Sequence, residues 1–230
     1  MPRSRTRTKG PRSDGTDDLF DLELDPLAIE RNTRGSGYRR IAGLDEAGRG
    51  PLAGPVVAAA VILHEEFLIP GVTDSKQLSE AERERLYGVI VRDAVAYGIG
   101  IADERTIEEI NILQATIVAM ERALASIAPP PDYLLLDAIT LPRTNIPQKP
   151  LIKGDVRSHS IAAASILAKV TRDRLMLKLH EEFPQYNFRR HKGYGTKEHC
   201  ELIRKHGPCR AHRRSFAPVA EMLKDGADGR

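Results

Sequence analysis

The stretch Ile41-Ala42-Gly43-Leu44-Asp45-Glu46-Ala47-Gly48-Arg49-Gly50-Pro51-Leu52-Ala53-Gly54-Pro55, running on into Val56-Val57-Ala58-Ala59-Ala60-Val61-Ile62-Leu63, decides how this 230-residue chain folds. A short apolar run ends in two adjacent acids, Asp45 and Glu46. Glycine and proline then punctuate Gly48 to Pro55, the mark of a loop. Val56 to Leu63 is continuously apolar, as a strand buried on both faces is. A strand that ends in carboxylates puts them at the rim of a sheet, where α/β proteins collect their sites.

Working outward, Ser79 and Glu82 form a capping box ahead of Leu86, Ile90 and Ala94 on one helical face. Val95 to Ile101 is a strand candidate. Thr106 and Glu109 make a second capping box, followed by Ile110, Leu113, Ile117, Met120 and Leu124 at helical spacing. Pro129 to Pro131 stop that helix. Tyr133 to Leu136 is a short buried strand ending at Asp137. A further strand lies around Pro150 to Ile152, and a long helix runs from about Ser160 to Phe183. Strands first, then helix and strand in alternation, predict an α/β fold with a mixed sheet and helices on its faces.

Hydrophobic residues make up 41% of the chain and charged residues 29%, enough for a sizeable core. The net charge of +3 hides an uneven distribution. Residues 1–13 are basic, residues 14–25 acidic, and Arg189 to Arg214 basic again, a candidate phosphate-binding surface or a solvated face. Residues 1–37 are expected to be a mostly disordered tail, in which Leu19 to Glu30 forms a short helix on contact with a partner. Residues 217–230 are expected to be a second tail, leaving one domain over 38–216. Two cysteines, Cys200 and Cys209, make no disulfide framework. With no apolar run of the ~18 residues a membrane span needs and no apolar leader, the expectation is a cytoplasmic protein that does not enter membranes.

The chemistry gathers on acids. Asp45 and Glu46 follow the first strand and Asp137 the central one. Asp173 lies in the long helix on a face shared with Ala162, Ser165, Ile166 and Lys169. Hard divalent cations want several carboxylate oxygens, and four such acids can hold a pair of ions that activates water beside a phosphodiester. The plainer alternative is that Asp137 caps a loop and Asp173 pairs with Lys169 at i, i+4. Spacing alone leaves that choice open. His199, Cys200, His206, Cys209 and His212 lie close together, but their spacings match no common zinc pattern.

Several segments, in order, resemble the ribonuclease HII family (type 2 ribonuclease H). They are Gly43 to Val56, Asp74 to Leu78, Leu136-Asp137, Lys153-Gly154-Asp155, Ser160 to Asp173, His191 to Thr196, and His212 to Phe216. The likeness runs from about Ile41 to Val219. It implies a ribonuclease H-like five-stranded mixed sheet flanked by helices, its first three strands antiparallel, with a small helical C-terminal segment. The implied activity is an endonuclease that cuts the RNA strand of RNA–DNA hybrids. It also nicks 5′ of single ribonucleotides in duplex DNA, leaving 3′-OH and 5′-phosphate ends, and so removes ribonucleotides from DNA. The resemblance assigns Asp45, Glu46, Asp137 and Asp173 to two Mn²⁺ or Mg²⁺ ions, Gly48, Arg49 and Gly50 to ribonucleotide reading, and Tyr194 to sensing the RNA-to-DNA junction. Ser75, Lys76, Lys153, Lys169 and Lys192 are candidate phosphate contacts or solvated charges, and Asp155 is expected to make a structural hydrogen bond. Ala138 stands where many relatives carry glycine. The expected partners are RNA–DNA hybrid and ribonucleotide-containing duplex DNA, bound by a monomer. The basic N-terminal tail either adds affinity for nucleic acid or plays no part. The rivals are a ribonuclease HIII-like hybrid nuclease and a non-catalytic RNA–DNA binding module.

Overall fold

The computed structural model describes residues 25–228, so the opposed charge blocks over residues 1–24 lie outside the described residues. From residue 25 onward the expectation of a tail is corrected. Helix α1 (Ala28–Gly35) is docked, not loose. Leu27 is buried ahead of it, and the buried Glu30 accepts at Oε1 from Ser158 Oγ (2.6 Å), Ser160 N (3.0 Å) and Ser160 Oγ (2.7 Å). A carboxylate that meets three donors is worth burying, and composition carries no trace of donors 128 or more residues away.

Strands β1 (Ile41–Ala47) and β2 (Val56–Ile62) form the antiparallel pair that the family resemblance implies. Helix α2 (Glu80–Asp93) starts at the expected capping box of Ser79 and Glu82, and β3 (Ala96–Ala102) adds antiparallel to β2. Helix α3 (Glu104–Ala125) departs from expectation. Its N-cap is Asp103, which accepts from Thr106 N and Oγ1, while Glu109 pairs with Arg105. The Thr106–Glu109 capping box therefore does not form. Asn111 has φ +67°, and its side chain caps Leu113 and Gln114. That break shifts the helical phase, leaving Ile110 and Leu113 exposed while Ile117 and Met120 are buried.

Strands β4 (Tyr133–Asp137) and β5 (Gln148–Leu151) extend the sheet on the other side of β1, both parallel, in the order β3-β2-β1-β4-β5. Short α4 (Gly154–Arg157) leads into the long α5 (His159–Glu182), capped by Ser158. One sheet face packs on α3 through Leu44, Val56, Ala60, Leu134 and Leu136. The other packs on α5 and α2 through Ala59, Val61, Leu86, Ile90, Ala163 and Leu167. The approach of α5 is tight: a Cβ on Gly43 would lie 2.2 Å from the backbone carbon of Ser160. Glycine in β1 and the run Ala162-Ala163-Ala164 in α5 are what let the helix seat there.

Beyond α5, α6 (Phe188–His191), α7 (Lys197–His206) and α8 (Val219–Asp228) gather on a separate small core that includes Met176, Tyr186, Phe188, Ile203 and Val219. The expected tail at 217–230 is thus corrected too: Val219 is buried and α8 runs to Asp228.

Candidate active site

The register brings the first acids together. Leu44 lies beside Leu136 in the parallel pair β1–β4, so Asp45 and Asp137, one residue further on, sit at adjacent carboxyl ends. The chain leaves β1 on one side for β2 and reaches β4 on the other, so this is a topological switch point, where open α/β sheets hold ligands. Asp45, Glu46, Gly48, Arg49, Gly50, Ser75, Lys76, Asp137, Ser165, Lys169 and Tyr194 line one cavity of about 260 Å³.

Each acid has a different environment. Asp45 is buried, and its carboxyl sits well above the usual carboxylate range. Burial is the main cause, followed by the negative charges of Glu46 and Asp137; Ser165 and the Glu46 N–H, which donates to Asp45 Oδ1 (2.8 Å), offset only part. Burial likewise raises Glu46, with Arg49 pulling the other way from 3.3 Å. Asp137 Oδ1 accepts from Gly154 N (2.7 Å). Asp173 does not line the cavity: Lys169 donates to both its oxygens, at 2.5 and 2.8 Å. Burial lowers Lys169 despite that partner.

Among the described residues, no three His, Cys, Asp or Glu side chains form a group that could hold a metal ion. Arg49, Lys169 and Gly154 N–H instead serve the acids individually. The donor set still fits a hard divalent cation, on two observations. The oxygens are carboxylates, and Glu46 Oε2 is buried without any hydrogen-bond partner. An orphaned anionic oxygen beside a buried carboxyl raised by its neighbours' charge is a site short of positive charge.

The other expected residues divide. Arg49 and Gly50 are exposed, and Tyr194 is 46% exposed with Arg172 5.9 Å from its ring centre. Gly48 is buried with φ +99°, and a Cβ there would lie 2.1 Å from Arg172 Nε. A Cβ on Gly50 would meet nothing within 4 Å, so the fold does not demand glycine there. Ser75 is buried and hydrogen-bonded to Ser165 (2.9 Å). Lys76 reaches Asp155 (3.4 Å) and Asp74 (3.8 Å). Burial works to lower Lys76, and the acids Asp155, Asp74 and Asp45 outweigh it. Lys153 and Lys192 do not line the cavity; Lys153 is exposed, and the Lys192 ammonium donates to Arg189 O. The residue after Asp137, Ala138, has φ +55°, a left-handed conformation that favours glycine.

Sequence reasoning missed the buried arginines. Arg172 donates to the carbonyls of Pro55, Lys192 and Ala53. Arg213, which the charge count places in a basic surface, is fully buried. The signal available was position alone: both sit inside segments that carry the family likeness.

The ribonuclease HII family model matches residues 42–219. Ribonuclease HII of Bacillus thuringiensis (strain Al Hakam) is 57% identical over 201 residues, 87% of this chain and 78% of that protein. The crystal structure of ribonuclease H2 from Pyrococcus horikoshii OT3 matches with a TM-score of 0.70 at 26% identity, over 83% of this chain and 100% of that one. Ribonuclease HII of Archaeoglobus fulgidus, solved as a complex with PCNA, matches with a TM-score of 0.63 at 28% identity, over 73% of this chain and 88% of that one.

Proposed function

The chain belongs to the ribonuclease HII family, and from that premise we propose that it hydrolyses the RNA strand of RNA–DNA hybrids and nicks duplex DNA 5′ of an embedded ribonucleotide. One observation carries the reading. The acids Asp45, Glu46 and Asp137 share a single cavity with the Gly48–Gly50 loop and Tyr194, which supports reading them as cleaving and sugar-reading groups for one ligand.

Asp45, Glu46 and Asp137 would hold the cations, with Asp173 joining when it parts from Lys169. Mg²⁺ or Mn²⁺ held there would supply charge to the scissile phosphate and make water a better nucleophile. The chain's own groups do the rest. The backbone at Arg49 and Gly50 lies exposed for a sugar to approach, and the 2′-OH, donor and acceptor at once, is what DNA lacks there. The half-exposed Tyr194 ring packs against the neighbouring deoxyribose. Lys76, and Lys169 once free of Asp173, neutralise backbone phosphates and fix the strand's register.

The test is a labelled DNA duplex with one ribonucleotide, incubated with Mn²⁺. The expected product is a single nick on the 5′ side of that ribonucleotide, with 3′-OH and 5′-phosphate ends. Cleavage confined to long ribonucleotide tracts would favour the ribonuclease HIII-like alternative, and a gel shift without a nick the binding module.

A further inference from the structure

The loop that carries Arg49 and Gly50 and the ring of Tyr194 are both exposed and come from distant parts of the chain. Beneath them lie the adjacent residues His212 and Arg213, 2% and 0% exposed: Arg213 bonds the loop directly, and His212 reaches the Tyr194 backbone by way of His199.

Arg213 addresses the loop. Its Nη1 donates to Arg49 O (2.9 Å), its Nη2 to Gly48 O (2.6 Å) and Gly54 O (2.7 Å), and its Nε to Gly54 O (3.0 Å). The backbone repeats the connection: Arg213 N donates to Leu52 O, Gly54 N to Ala211 O, and Ala53 bridges His212. Burial lowers the Arg213 pKa, with Arg172 adding to the effect, but a guanidinium keeps its charge.

His212 addresses the Tyr194 backbone through His199. The Cys209 N–H, which can only donate, points at His212 Nδ1 (3.0 Å). The His212 proton therefore sits on Nε2, 3.1 Å from His199 Nε2. The Tyr194 carbonyl can only accept, and His199 Nδ1 lies 2.9 Å from it. One arrangement of protons satisfies all three contacts: Cys209 N–H to His212, His212 to His199, His199 to Tyr194 O. Both rings must be neutral for this, and burial holds both near a pKa of about 4.

We propose that His212 and Arg213 form a positioning bracket that sets the spacing between the Gly48–Gly50 loop and Tyr194. The bracket thereby governs discrimination of an RNA-to-DNA junction from continuous hybrid. It rests on the functional reading above and adds residues that touch no substrate. His199 is its transmitting element, and the cluster of His199, His212 and Cys209 serves as a hydrogen-bonded strut.

The test compares kcat/KM on a single-ribonucleotide duplex with kcat/KM on a uniform RNA–DNA hybrid, beside a thermal melt, for the full chain and three variants. His199→Leu removes the donor to Tyr194. His199→Asn keeps an amide N–H where Nδ1 stood. Arg213→Lys cannot span the Gly48, Arg49 and Gly54 carbonyls. For folded His199→Leu and Arg213→Lys, the junction-to-hybrid ratio is expected to fall by about tenfold, with His199→Asn recovering most of it. Equal losses on both substrates, an unchanged ratio, or no rescue by His199→Asn overturns the bracket. Should Arg213→Lys fail to fold, the two His199 variants decide. A wild-type chain that cuts neither substrate sinks the functional reading and the bracket with it, whereas a wild-type nick with an unmoved ratio sinks the bracket alone.

Discussion

At the carboxyl ends of β1 and β4, buried polar groups are left with unmet demands. Burial and neighbouring negative charges push the Asp45 carboxyl up, and Glu46 Oε2 has no partner. In the bracket beneath the loop and in the neighbouring Arg172, groups just as polar and just as buried are paired: both ring nitrogens of His199 and His212, and every nitrogen of the Arg172 and Arg213 guanidinium groups. Unpaired burial costs stability. Paired burial fixes geometry. The first region is the one we propose to react, and the second the one we propose to hold its surroundings in shape.

The most severe way to break this comparison is at the acids. Asp45→Asn or Asp137→Asn should lower cleavage by roughly a thousandfold or more, since cation-borne charge stabilisation is worth several kcal/mol. Binding of an uncut duplex should persist. In chelator-containing buffer the Asp45→Asn protein should also melt higher than wild type, by on the order of 1 kcal/mol, because a repelling buried charge is gone. A lower melting point would remove the claim of unmet demand.

The bracket should show itself in acid. His199 and His212 titrate near pH 4 in the fold, against an ordinary value of 6.5. The unfolded chain therefore takes up these protons first as pH falls. Stability is full above about pH 6.5 and drains away toward pH 4, by about 3 kcal/mol for each histidine. His191, stacked on His199 at 4.2 Å, is also lowered, mainly by burial, and adds in the same sense. The raised acids Asp45 and Glu46 work in the opposite sense. Urea midpoints at pH 7 and pH 5 for wild type and His199→Asn isolate the histidine share, and the variant should lose less on acidification. Parallel losses would contradict the neutral strut.

Where the two regions meet, the glycines separate them. Gly48→Ala meets Arg172 and Pro55 O within 2.7 Å at a positive φ, and should cost about 2 kcal/mol or more by thermal melt. Gly50→Ala should leave stability within about 0.5 kcal/mol while weakening binding of the ribonucleotide duplex relative to all-DNA. A stability loss at Gly50 would show that the fold, not the ligand, needs that space. The smallest effect belongs to Ala138, whose φ of +55° glycine adopts freely. Ala138→Gly should stabilise by less than about 1 kcal/mol, the left-handed strain relieved minus the extra freedom of an unfolded glycine.

Much of this was legible in the chain before any coordinates. The apolar run into Asp45, the continuous strand from Val56, the capping box at Ser79 and the Tyr133–Asp137 strand depend on neighbours a few residues apart, and they form where expected. The readings that failed depended on remote partners. Glu30 docks α1 on serines at the start of α5. Asn111 breaks the period of α3. Arg213, counted as surface charge, is buried among the backbone carbonyls of Gly48, Arg49 and Gly54.

By itself, then, the sequence determined which segments are strands and helices and which acids end them, because hydrophobic period and capping are local interactions that each segment carries within itself. Only the tertiary structure decided that Asp45 stands beside Asp137, that Asp173 turns to Lys169 and away from the cavity, that Arg213 reaches under the loop, and that His212 reaches the Tyr194 carbonyl by way of His199. Strand register and the pairing of buried charges are settled by competition among residues far apart in the chain, and such competition leaves no periodic trace to read.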